Sequence, residues 1–162
     1  MTSLFTRYGK SLRLLFCFPL VALFVSTCST AQAQTAQTVD EAAIAASGFF
    51  ASVSARDAAR LNTYLQPEGF TEFMPESGKL LKLDAQAFTN LFASPLLIDL
   101  RLADVQVQHV GDAAVVTGTR LGYISKPGVT PQDGRLAVSM IWSRQSGGWK
   151  LHHIHLSVPG PQ

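Results

Sequence analysis

The chain has 162 residues, 47% of them hydrophobic, with 13 Lys and Arg against 11 Asp and Glu. Its basic excess is local, because Arg7, Lys10 and Arg13 precede the apolar run Leu14 to Val25, and the remaining 10 basic residues face all 11 acidic ones. No Lys/Arg stripe is left to follow a phosphate backbone, which argues against a nucleic-acid partner, and the length is that of one domain able to stand without staples.

Residues 1–33 read as a secretory signal peptide: a basic start, a short apolar run, and the small-residue cleavage site Ala31-Gln32-Ala33. The apolar run is too short to span a bilayer comfortably. The expectation is an exported chain, periplasmic or secreted, that keeps no membrane attachment after cleavage. Both cysteines, Cys17 and Cys28, fall in the removed segment, so the mature domain is expected to carry no disulfide. An alternative is a lipid anchor at Cys28, since Val25-Ser26-Thr27-Cys28 loosely resembles a bacterial lipobox, although Thr27 is a poor residue at that position.

Residues 34–38 are polar and read as a tail. From there Val39, Ala43, Ala46, Phe49, Phe50 and Val53 recur at steps of three and four, which predicts a helix of about four turns with Asp40 and Glu41 in its first turn. Asp57 is placed to cap a second, shorter helix carrying Ala58, Leu61, Tyr64 and Leu65, stopped before Pro67. Phe70 to Met74 and Lys79 to Leu83 flank Pro75-Glu76-Ser77-Gly78 and predict a small hairpin. Asp84 caps a third helix with Phe88, Leu91 and Phe92, ended by Pro95.

Beyond Pro95 the period changes to two. Ile98, Leu100 and Leu102 alternate with polar residues, yet the next apolar pair is Val105 and Val107, so the parity slips near Ala103-Asp104 and predicts a β-bulge. Gly111-Asp112 turns the chain into a strand over 113–125, and the 127–134 loop leads into a final hairpin, 135–144 and 149–158, around Gln145-Ser146-Gly147-Gly148. The predicted class is α+β, with three helices on one face of a curved antiparallel sheet.

The segment Gly111 to Gly118, together with Met140-Ile141-Trp142-Ser143-Arg144, Gly148-Trp149-Lys150-Leu151 and His153-Ile154-His155-Leu156-Ser157, resembles the nuclear transport factor 2-like superfamily. The nearest resemblance is to SnoaL-like domains and to the association (hub) domain of calcium/calmodulin-dependent protein kinase II. It covers residues 39–158, leaving 159–162 as a C-terminal tail. It implies a cone-shaped sheet around an apolar pocket and a homodimer or larger ring formed through the sheet. It implies no single activity, since the superfamily includes isomerases, cyclases, dehydratases, hubs and carriers. In the kinase hubs, arginines line the pocket at positions that here read Thr119, Met140 and Leu156. With all three uncharged, a small apolar or weakly polar ligand is expected.

The facing of the last strand depends on its turn. Leu136, Val138, Met140 and Trp142 form one apolar row and Ile154, Leu156 and Val158 another, and matching them favours a three-residue loop that turns His152 inward. The expected ligand-binding residues are therefore Thr119, Tyr123, Met140, Trp142, His152 and Leu156. His152 could act as general acid or base and Tyr123 as a hydrogen-bond donor; the plainer reading makes them a satisfied core histidine and a core aromatic. His153, His155 and Ser139 fall on the opposite face, as a subunit contact in preference to a metal site, because no third ligand is evident. No cofactor is implied, as no Gly-rich phosphate loop follows a strand. Two readings stand: an exported non-catalytic module that dimerises and holds a small apolar ligand or serves assembly, and a cofactor-independent isomerase, cyclase or dehydratase using His152. An inward Glu72, Asp99 or Asp104 beside His152 or Tyr123 would favour the second.

Overall fold

The computed structural model describes residues 40–75 and 78–160. The signal peptide with Cys17 and Cys28, the 34–38 tail, Val39, Glu76-Ser77 and the last two residues lie outside them.

Three helices, α1 (Glu41–Ala55), α2 (Ala58–Asn62) and α3 (Ala85–Ala93), accompany six strands: β1 (Phe70–Met74), β2 (Lys79–Leu83), β3 (Leu97–Val110), β4 (Ala113–Ser125), β5 (Gly134–Gln145) and β6 (Gly148–Ser157). The helix starts follow from side-chain caps. Asp40 accepts the Ala42 N–H, Asp57 the Arg60 N–H and Asp84 the Ala87 N–H, each satisfying a donor that the first turn leaves open. Asp40 is thus the cap of α1 and not a member of its first turn. The buried stripe of α1 is Ala42, Ala45, Ala46, Phe49, Phe50 and Val53. Gly48, unfavourable in a helix interior by about 1 kcal/mol, is there for space: a Cβ would sit 2.2 Å from the Tyr64 hydroxyl.

The strands form one sheet in the order β2-β1-β6-β5-β4-β3. The α+β class holds, with a curved, unclosed sheet over helices. It is not wholly antiparallel, because β1 joins β6 in parallel, with Thr71 opposite His153 and Phe73 opposite His155. Ser54 fastens α1 to β3, its hydroxyl accepting the Leu100 N–H at 2.7 Å and lying 2.9 Å from the Leu100 carbonyl oxygen. Arg56, in the left-handed conformation that ends α1, donates through its guanidinium to the carbonyls of Phe92, Ser94 and Leu96 and so ties down the turn from α3 into β3.

The bulge read from the parity of β3 is present. Ala103 pairs with Thr119 and Gln106 with Thr117, leaving Asp104 and Val105 opposite Gly118 alone. Asp104 takes a φ of 54°, and its carboxylate accepts from Thr119 Oγ1 at 3.1 Å and Arg135 Nη2 at 3.5 Å. A Cβ on Gly118 would meet the Ala103 carbonyl oxygen at 2.7 Å, so only glycine leaves room for the extra residue.

A second bulge corrects the expected register of the last hairpin. Gln145 pairs with Gly148 around a two-residue turn, and Ile141 with His153 but Trp142 with Leu151, so His152 is the additional residue. The apolar rows do meet, Met140 against Ile154 and Val138 against Leu156. They meet because the bulge, and not a longer loop, shifts the parity.

Candidate functional site

The inner face of the sheet and the helices enclose a cavity of about 100 Å³. Phe49, Phe50 and Val53 of α1 and Phe88 and Leu91 of α3 form the helical side; Leu83, Leu100, Ile124, Ile154 and Leu156 form the apolar part of the sheet side. Phe49 stands edge-on to Phe70 and Phe88, with ring centroids 5.6 and 6.0 Å away, and Trp142 lies 6.5 Å behind it. Edge-on packing fixes these rings against one another.

Two ionisable side chains also line the cavity, Glu72 of β1 and Arg120 of β4. Glu72 faces inward because β1 alternates Phe70, Glu72 and Met74 toward the core against Thr71 and Phe73. Arg120 pairs with Leu136 and Leu102, both turned to the core. A carboxylate and a guanidinium on an otherwise apolar wall are the groups able to orient a bound polar atom.

The expected pocket residues separate. Leu156 lines the cavity, while Met140 and Trp142 are fully buried on the same face. Thr119 and Tyr123 are on the other face: Thr119 donates to Asp104, and Tyr123 sits opposite Asp99 in the alternate row. His152 does not look into the cavity, since the bulge places it on the surface. There Ser143 Oγ lies 2.6 Å from its Nε2 and the Gln66 amide nitrogen 2.8–2.9 Å from its ring nitrogens. Asp99 and Asp104 are exposed, each near an arginine, Arg101 or Arg135. Of the three acids considered, Glu72 alone lines the cavity, and neither His152 nor Tyr123 accompanies it. The expectation of a pocket without charge is likewise corrected by Arg120, one residue beyond Thr119.

Arg120 is the charged pocket residue the sequence reading missed. The signal was the pairing of its row with Leu136 and Leu102, which only the sheet register makes visible. Ser139, His153 and His155 do share the outer face, with Ala137, Ile141 and Ser157 beside them. Among the described residues, no group of three or more His, Cys, Asp or Glu is arranged to hold a metal ion, and no helix is long and apolar enough to cross a membrane.

A curved, unclosed six-stranded sheet laid over three helices around one apolar cavity defines the nuclear transport factor 2-like class. Within it, residues 42–161 match the model of the SnoaL-like domain, and the chain belongs to that family. Solved structures agree. The kinase hub of S. rosetta is 29% identical, with a TM-score of 0.58 over 72% of this chain and 93% of that one. A nuclear transport factor 2-like protein of unknown function in nutrient uptake from Rhodospirillum rubrum is 25% identical, with a TM-score of 0.62 over 75% and 100%. The association domain of the C. elegans kinase is similar in fold, at 21% identity and a TM-score of 0.52 over 68% and 87%. No protein of curated function matches the sequence.

Proposed function

We propose that this is an exported, self-associating domain that binds a small, mostly apolar molecule in the cavity between α1, α3 and the sheet. The observation that carries the reading is the lining itself: ten apolar side chains and a single acid and arginine, Glu72 and Arg120. Such a wall takes a ring or short chain by burial and reads one polar group on it. The volume matches a compact ligand of single-ring size. Export rests on residues 1–33, and a mature N-terminus at Gln34 by terminal sequencing is its check. Self-association rests on the outer sheet face and on the hub neighbours, which carry the same fold.

Native mass spectrometry of the purified protein, first gentle and then denaturing, tests the ligand. The expected result is a dimer mass that releases one small molecule per chain, and an Arg120→Met variant that retains the dimer and loses the molecule. An empty cavity in both would remove the binding reading. Glu72 inside an apolar cavity also favours a second reading, a cofactor-independent enzyme in which Glu72 moves a proton and Arg120 holds the developing charge. A Glu72→Gln variant that carries a molecule isomeric with, or differing by water from, that carried by wild type supports catalysis; the same molecule in both supports binding alone.

A further inference from the structure

The chain has four histidines. His109 Nε2 is held 2.7 Å from the Asp40 carboxylate, and the His152 ring is held by Gln66 and Ser143. That leaves His153 and His155, two apart on β6, with both rings on the outer face because strand side chains alternate. Their surroundings differ in a way that bears on ligation. The Thr71 hydroxyl lies 2.8 Å from His153 Nδ1 and donates to the His152 carbonyl at 3.4 Å. The contact engages Nδ1, so Nε2 is the ring nitrogen it leaves for a ligand. His155 stacks on Phe73, with centroids 5.0 Å apart and planes 12° from parallel, so the ring is held in orientation while its edge stays exposed. A metal-ligating imidazole commonly has its second nitrogen fixed in this manner by an outer hydrogen bond.

We propose that His153 and His155 form a two-imidazole site for a borderline divalent transition-metal ion, bound most tightly as Cu²⁺. Two neutral imidazoles suit Cu²⁺ and Ni²⁺, and the order of affinities favours Cu²⁺. Thr71 is the positioning residue, acting through its hydrogen bond to His153 Nδ1.

Isothermal titration of the full chain with Cu²⁺, under argon-free ordinary buffer without chelators and with the oligomeric mass followed in parallel, tests this. One Cu²⁺ per chain is expected, weakened at least tenfold by His153→Ala and by His155→Ala. Thr71→Val should weaken it about tenfold, the lower end of the usual loss for an outer-shell partner, and alter the electron paramagnetic resonance signal of the bound ion; His152→Ala should do neither. Should an alanine variant fail to fold, His153→Gln and His155→Gln replace it. Wild-type protein that takes up no Cu²⁺, variants that bind it undiminished, or a loss that follows His152 would each overturn the site. His153 and His155 share the face proposed for self-association, so Cu²⁺ binding lost at unchanged dimer mass separates the failure of one reading from that of the other.

Discussion

Trp142 is fully buried, edge-on to Phe49 and to Tyr64 at 6.5 and 6.1 Å, and so supports both α1 and the loop after α2. Its indole N–H meets no acceptor among the described residues. Trp142→Ala should therefore cost about 3–5 kcal/mol through the cavity it opens, whereas Trp142→Phe, which removes the orphan donor and keeps most of the ring, should cost distinctly less. Urea unfolding of both variants decides; equal losses would mean that the N–H has a partner after all. At the start of α1, the hydrogen bond from His109 chiefly, and then the Ala42 N–H, hold the Asp40 carboxyl below its usual 3.8, against a partial burial that pushes it up. A carboxyl lowered on folding stabilises the fold above pH 3.8 and loses that contribution as the pH falls through the lowered value. Asp40→Asn should flatten this part of the acid limb of a stability profile and leave the neutral region changed only by the weakened cap. An unaltered acid limb would show that the pair does not couple to folding.

Among the elements, caps and breaks were readable because they depend on neighbours in sequence. Asp57, Asp84, Pro67 and Pro95 set their boundaries locally, and the slip from Leu102 to Val105 announced the bulge in β3. The facing of β4 was not readable, for a physical reason. Its inward row, Ala114, Val116, Gly118, Arg120, Gly122 and Ile124, is no more apolar than its outward row of Val115, Thr117, Thr119, Leu121 and Tyr123. Only pairing with β5 distinguishes them, and with the wrong row went Thr119, Tyr123 and the missed Arg120. The bulge at His152 carried the same kind of slip as β3, from Trp149 and Leu151 to Ile154 and Leu156, hidden by a turn whose length was free to vary. The first bulge makes a sharp test of packing. Gly118→Ala drives a Cβ to 2.7 Å from a backbone oxygen that cannot rotate away, and a loss of roughly 1–3 kcal/mol is expected from the forced backbone shift. A melting temperature equal to that of wild type would mean that the bulge relaxes freely.

At the scale of the whole molecule, the outer sheet face is what the helices leave uncovered. Ile141 is 43% exposed near its middle, with Ala137 and Ser139 on the same strand and Tyr123 and Leu121 half-buried on the next. A two-fold partner would bring equivalent residues of this face together, so Ile141→Glu should convert a dimer into a monomer by light scattering without loss of helix or strand signal. A monomeric wild type at micromolar concentration would remove the proposed interface.

The parallel seam between β1 and β6 also orders events in time. Glu72, the acid in the cavity wall, belongs to a strand held on one side by its own hairpin and on the other by residues 153–155, some 80 positions later in the chain. Every other strand pair joins neighbours in sequence. The β1–β2 hairpin therefore waits with an open edge until nearly the last residue has been delivered, and the cavity has no complete wall before then. Contacts of such long range slow folding and expose strand edges meanwhile. A chain interrupted before Trp149 would lack Ile154 and Leu156 from the cavity wall, together with the strand that joins β1 to the rest of the sheet.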